Sequence, residues 1–122
     1  MKELVWVCSS KDDLMDFPED VRQEVGYALH VAQQGETHES AKMFKGCGRG
    51  VYEIVSNADK STYRAVYIVN LNDIVYVIHA FQKKSKTGIK TPQEHVALVK
   101  DRIKRLKETL KEDKSHAKKS GD

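Results

Sequence analysis

Hydrophobic positions along the chain fall into segments whose spacing predicts four strands. The apolar runs at 4–8, 50–56, 62–69 and 74–81 are short and rich in valine, isoleucine and tyrosine, which is typical of β-strands. The runs at 62–69 and 74–81 are apolar on both faces near their middles, as in strands that are covered on two sides. Short connections rich in turn formers link the last three strands, so we expect an antiparallel meander.

Between the first two strands, the pattern predicts a helical hairpin over residues 10–35. Ser10 and Asp13 have the spacing of a capping box, which starts a short helix. Pro18 fits the first position of a second helix, in which apolar residues recur at steps of three and four. Gly35 is the expected end of that helix. The residues between this hairpin and the second strand, 36–50, contain three glycines and are expected to form a loop.

The sequence TPQE at 91–94 predicts the start of a last amphipathic helix, because it combines a cap residue, an early proline and a glutamate. Its apolar positions end at Leu110. We therefore expect one domain over residues 1–110 and a flexible charged tail over 111–122. The predicted order is β-α-α-β-β-β-α, an α+β fold.

Composition places the chain among globular proteins of one domain, with 122 residues, 39% hydrophobic and 32% charged. No apolar run approaches a membrane span or a signal-peptide core, so we expect a cytoplasmic protein with no membrane partner. The net charge of +3 conceals an asymmetry. Residues 1–41 hold nine acidic and three basic residues, whereas residues 42–122 hold nine acidic and eighteen basic ones. This pattern indicates either a polyanion-binding side or two ordinary solvated surfaces.

Candidate chemistry gathers at one end of the predicted meander. Arg64 lies near the start of one strand and His79 near the end of the next, and these positions are neighbours in an antiparallel pair. Lys83 and Lys84 follow at the same end. On single-residue evidence, His79 is as readily a core histidine as a catalytic one, and each lysine alone is more readily a surface residue.

Together these residues suit cleavage of RNA. The 2′-hydroxyl attacks the adjacent phosphate, so a base must take its proton, cations must stabilise the developing charge, and an acid must protonate the leaving oxygen. Arginine and lysine supply the cations, and histidine can serve as acid or base. We expect no metal and no cofactor, because the sequence offers no carboxylate cluster and its two cysteines lie far apart.

Several segments resemble the RelE/HigB superfamily of bacterial toxins, in particular its phage-derived HigB-like branch. The resemblance covers roughly residues 3–107. HAFQKKS followed by TP is its most specific feature. The segments that carry it are FPEDVRQEVGYALHVAQQGE (17–36), AKMFKGCGRG (41–50), GVYEI (50–54), TYRAVY (62–67) and YVIHAFQKKSKTGIKTP (76–92).

This resemblance implies the toxin of a type II toxin–antitoxin pair, with a small twisted sheet, an N-terminal helical hairpin and a C-terminal helix. Such toxins are endoribonucleases, many of which cleave mRNA on the ribosome and so inhibit translation. The implied partners are mRNA, the ribosome and a helix-turn-helix antitoxin, and operator DNA is bound only through the antitoxin.

The family's functional residues can be carried over by position. Arg64 matches a phosphate-binding strand arginine, Lys83 and Lys84 match a basic pair, and His79 matches a histidine of the HigB-like branch. Glu53 stands where some relatives carry lysine, and it is either the base or a partner of Arg64. The residues expected to bind RNA are Lys42, Lys45, Arg49, Phe81, Lys86 and Lys90.

Two other functions fit the same fold. One is a ParE-like poison of DNA gyrase that cuts no nucleic acid. The other is a degenerate member that only binds its partner. The cluster of Arg64, His79, Lys83 and Lys84 favours the ribonuclease, because a gyrase poison has no need of a phosphate-transfer site.

Overall fold

A computed structural model describes residues 1–58, 60–83 and 91–120 of the chain, with side chains in the last helix described as far as Glu112. The elements are β1 (Glu3–Trp6), α1 (Ser10–Met15), α2 (Glu19–Gln33), β2 (Ala41–Met43), β3 (Val51–Ala58), β4 (Ser61–Leu71), β5 (Ile74–Lys83) and α3 (Gln93–Ser120). No helix in these described ranges is both long enough and apolar enough to cross a membrane.

The strands form one sheet in the order β1-β5-β4-β3-β2. The predicted meander of β3, β4 and β5 is confirmed, and its neighbours are antiparallel. Asn72 and Asp73 connect β4 to β5 with φ values of 53° and 58°, which suits a tight two-residue hairpin turn. β1 lies parallel to β5 at one edge. The α+β class expected from the sequence is therefore confirmed.

The prediction that residues 36–50 form only a loop is wrong in one respect. Ala41–Met43 pairs with β3 as the second edge strand, and Lys42 lies opposite Glu53. Three residues are too short for a visible apolar alternation, so only pairing with β3 reveals this strand. A lysine on such an edge discourages pairing with further strands.

The helical hairpin is confirmed, although both of its predicted starts shift by one residue. Ser9 precedes α1 as its N-cap, and Ser10 instead donates its buried hydroxyl to the Val77 carbonyl at 3.0 Å. Pro18 is the N-cap of α2 and not its first helical residue. Gly35 ends that helix as predicted: it has a φ of 88°, and its amide donates to the Ala32 carbonyl at 3.0 Å.

Two apolar layers enclose the sheet. α1 and α2 cover one face, where Val25, Leu29 and Val77 are almost fully buried. α3 covers part of the other face, where Val99 packs in the same cluster as Ile78. This two-sided cover explains why the sequences of β4 and β5 are apolar on both faces.

An irregularity in β5 determines which side chains face α3. Val66 pairs with His79, whereas the next residue, Tyr67, pairs with Val77, so Ile78 is an extra residue, as in a β-bulge. Beyond the bulge, His79 and every second residue after it point to the α3 side. The Ile78 carbonyl accepts a hydrogen bond of 2.9 Å from Arg102 of α3. The bulge therefore places His79 against that helix.

α3 continues to Ser120, beyond Leu110, where the apolar pattern of the sequence ends. The chain after residue 110 thus extends as helix backbone and not as an irregular segment. The domain boundary at 110 and the flexibility of residues 111–122 stay predictions.

Candidate functional site

A buried ion pair lies on the α3 face of the sheet. Arg64 donates from Nη1 to Glu53 Oε1 at 2.7 Å, and only 5% and 8% of the two residues are exposed. Thr91, just before α3, donates its hydroxyl to Glu53 Oε2 at 2.8 Å and accepts from Arg64 Nη1 at 3.2 Å. Glu53 thus pairs with Arg64, which is one of the two roles expected for it, and its role as the base stays a prediction. Because the pair is buried, removal of either partner alone would leave the other charge unpaired and would destabilise the fold.

Next to this pair, three aromatic rings pack together. Phe81 pairs with Arg64 in the sheet and stacks on His79, with ring centroids 5.0 Å apart. Phe81 also stacks on His95 of α3, with ring centroids 4.0 Å apart. Phe81, which the sequence predicts to bind RNA, is itself buried, so its ring is not open for a base to stack on it.

Both nitrogens of His79 have partners. Nε2 lies 2.9 Å from His95 Nδ1, and Nδ1 lies 3.3 Å from Arg102 Nη1. Only 5% of His79 is exposed, and burial is the main reason that its pKa falls to about 4. The positive Arg102 and the neighbouring His95 lower the pKa further, while Asp13 of α1 opposes them. Burial also lowers the pKa of His95, against the influence of Glu94. Both imidazoles are therefore neutral at pH 7.

Lys83 is the last residue of β5 and shares the α3 face with His79 and Phe81, because side chains alternate along a strand. It is 7% exposed, so it is more deeply buried than a lysine that emerges freely at the strand end. Its expected partner in the basic pair, Lys84, lies outside the described residues. The same is true of Lys86 and Lys90.

The other basic residues expected to bind RNA lie on the surface. Lys42, Lys45 and Arg49 are all exposed. The loop that carries Lys45 and Arg49 borders an open cavity of about 320 Å³ between the loop and α3. Its lining residues are Gly46, Cys47, Lys100, Ile103, Lys104 and Lys107. Burial raises the pKa of the Cys47 thiol, while Lys100 lowers it. Three lysines of α3 thus extend the basic surface of the loop.

The structure therefore brings Glu53, Arg64, His79, Phe81 and Lys83 to one face of the sheet. In the portion of the chain that the structure describes, no group of His, Cys, Asp or Glu side chains is placed to hold a metal ion.

Sequence reasoning missed three members of the site: Thr91, His95 and Arg102. Thr91 was predicted only as a helix cap. His95 and Arg102 lie seven positions apart and flank Val99 on the buried side of α3, so helical spacing was the available signal. That signal was hidden because polar residues within an amphipathic pattern are usually assigned to the solvent side.

Comparison with known proteins agrees with this architecture. A crystal structure of the isolated E. coli RelE toxin superposes with a TM-score of 0.54 at 18% sequence identity, covering 87% of this chain and 99% of that one. This likeness confirms the expected RelE-like fold. No curated protein is similar enough in sequence to match. The model of the phage-derived Gp49-like proteins matches residues 12–104, most of the chain. The chain belongs to this Gp49-like family of phage-derived proteins.

Proposed function

We propose that the protein is the toxin of a type II toxin–antitoxin pair and cleaves mRNA as a metal-independent endoribonuclease. The observation that carries the proposal is the gathering of Arg64, Lys83 and two imidazoles on one face of the sheet, beside an exposed basic loop. Cations can stabilise the negative charge of the phosphorane, and polarised N–H groups can donate to its oxygens. The RelE-like fold and the Gp49-like family support this proposal.

In this proposal, Arg64 binds the phosphate and Glu53 receives the proton of the attacking 2′-hydroxyl. As the O2′–P bond forms and the P–O5′ bond breaks, the leaving 5′-oxygen takes a proton from the Lys83 ammonium. Arg64 is held by Glu53 and Thr91, so the phosphate must share or replace the carboxylate as its partner. Lys83, with Lys84 beyond the described residues, adds positive charge. The exposed Lys42, Lys45 and Arg49 guide the flanking RNA, with Lys86 and Lys90 as further contacts in the undescribed segment.

The proposed partners follow from the same function. A helix-turn-helix antitoxin silences the toxin in the cytoplasm, and operator DNA is bound only through that antitoxin. The ribosome presents the mRNA. No cofactor takes part.

The test is to induce the chain without an antitoxin in growing cells and to map mRNA 5′ ends. We expect growth arrest within minutes and new mRNA ends inside reading frames. An Arg64→Lys, Lys83→Ala double variant of equal abundance serves as the inactive control. Growth arrest with unchanged mRNA ends would refute the nuclease.

The ion pair also favours a second candidate, a member of the family that binds its partner but cuts nothing. Arg64 is neutralised by Glu53, and His79 is buried with both nitrogens occupied. In that case induction produces no new mRNA ends, although the purified chain still binds its antitoxin. Gyrase supercoiling, measured alongside, identifies a gyrase poison if it is inhibited.

A further inference from the structure

The contacts of Arg102 determine where the protons of the two histidines lie. A guanidinium can only donate hydrogen bonds, so His79 Nδ1, 3.3 Å from Arg102 Nη1, must be an acceptor. The proton of neutral His79 is then on Nε2. That N–H points to His95 Nδ1 at 2.9 Å, which must accept in turn. The proton of neutral His95 is consequently on its second nitrogen, Nε2.

The Nε2–H of His95 is directed away from this chain of hydrogen bonds. The two nitrogens of an imidazole lie on opposite sides of the ring, and Nδ1 is occupied by His79. Among the described residues, Nε2 of His95 has no hydrogen-bond partner. The residue is half-buried, in contrast to the buried His79. Phe81 holds the ring at a centroid distance of 4.0 Å. The result is an oriented N–H donor at the edge of the site.

We propose that His95 is the imidazole that contacts RNA and that its neutral Nε2–H donates to a non-bridging oxygen of the scissile phosphate. His79 and Arg102 are positioning residues that hold His95 in the required tautomer. The inference rests on the proposed nuclease function and specifies which group touches the substrate. No proton is transferred in this role, because the N–H only stabilises negative charge as it develops on phosphorus.

The same geometry opposes a positive charge on His95. Protonation of Nδ1 would direct two N–H groups at each other across the 2.9 Å contact with His79. The opposite tautomer of His79, with its proton on Nδ1, is blocked because that N–H would face the donor Nη1 of Arg102, which lies on α3 like His95. Among the charged groups around the pair, Glu94 of α3 and Asp13 of α1 favour protonation, and Arg102 opposes it. The donor is therefore a neutral imidazole over the physiological pH range.

Two substitutions of His95 separate its outer donor from its inner acceptor. His95→Asn keeps an oxygen close to the place of Nδ1 and loses the outer group. His95→Gln places an amide nitrogen close to the place of Nε2. His30→Asn, at an exposed histidine of α2, is the matched control. Each full-length protein is tested by its single-turnover cleavage of a defined mRNA in a reconstituted translation reaction, with the same RNA free of ribosomes alongside.

We expect His95→Asn to lower the cleavage rate roughly 100-fold or more at unchanged RNA affinity, with the protein still folded at the assay temperature, as for other lost transition-state donors. His95→Gln should recover the rate to within about tenfold of the wild type, which a merely structural role would not require. Normal cleavage by His95→Asn overturns the inference alone. No cleavage by the wild type overturns the proposed function and this inference with it.

Nitrogen-15 NMR of the histidines provides a readout that is independent of activity. At pH 7 the wild type should show neutral His79 and His95, each with its proton on Nε2. His79→Leu should release His95 into a mixture of tautomers and lower the cleavage rate. A proton on Nδ1 of His95 in the wild type would overturn the proposal.

Discussion

His79 should make the folded protein less stable as the pH falls from 6.5 towards 4. Its pKa is about 4 in the folded state, against an ordinary value of 6.5. Between these two values the unfolded chain binds a proton that the folded protein does not, so acid favours unfolding. Well above pH 6.5 both states are neutral and His79 adds no pH dependence. The loss is complete only well below pH 4.

The magnitude follows from the two pKa values. At pH 5 the linkage relation gives a loss of about 2 kcal/mol relative to pH 7, and below pH 4 it approaches about 3 kcal/mol. This is a large fraction of the 5–15 kcal/mol by which domains are typically stable. Because His79 is buried, solvent screening reduces the effect little.

The assay is urea unfolding of the wild type and His79→Gln at several values of pH between 7 and 4.5. The substitution itself changes stability, so the quantity compared is each protein's change with pH. Carboxylates titrate in both proteins and cancel in the difference. We expect the wild type to lose about 2 kcal/mol more than the variant between pH 7 and 5. Parallel curves for the two proteins would show that His79 is not held neutral by its surroundings.

Three other predictions follow from the structure. Arg64→Ala should lower the free energy of unfolding in urea by about 3–5 kcal/mol, because Glu53 is left buried and unpaired. A Glu53→Leu, Arg64→Leu double variant should recover most of that loss, and equal losses in the two variants would exclude coupling. Gly50→Ala should lower the free energy of unfolding by about 1–3 kcal/mol, since φ is +76° and a Cβ would meet Asn70 Cγ at 2.7 Å. Gly26→Ala, where a Cβ would meet nothing within 4 Å, should raise it by up to about 1 kcal/mol in the same assay. RNA affinity should fall steeply with salt, with a slope near −0.7 per phosphate contact in a log–log plot, and a flat plot would exclude the basic surface as the binding site.

Most of the fold could be predicted from the sequence because local patterns and tertiary packing agree. β4 and β5 are apolar on both faces and are covered by helices on both faces. Gly35 stops α2 because its left-handed backbone suits glycine. β2 could not be predicted, since three residues carry no periodicity and their pairing with β3 is a long-range event.

The site was predictable in its strand residues and not in its helical ones. Antiparallel pairing brings Arg64 opposite Phe81, two strand positions from His79, and sequence spacing alone supports that. The bulge at Ile78 could not be foreseen, although it decides which face His79 occupies. If the face that His79 occupies is unknown, neither His95 nor Arg102 can be recognised as its partner, because both contacts depend on how α3 packs against β5.

The depth of the site changes what each residue can do. From sequence, His79 and Lys83 lie at the exposed end of a strand, where RNA can reach them. In the fold α3 covers that face, and of the two imidazoles it is His95, carried by the helix itself, that remains half open. A chain of hydrogen bonds from Arg102 through His79 then joins the buried sheet residue to the more accessible helical one. Both nitrogens of His79 are occupied and its side chain is buried, so it cannot exchange a proton with substrate. We therefore expect His79 to act by orienting His95. Activity in this protein should therefore depend on the docking of α3 as well as on the residues of the sheet.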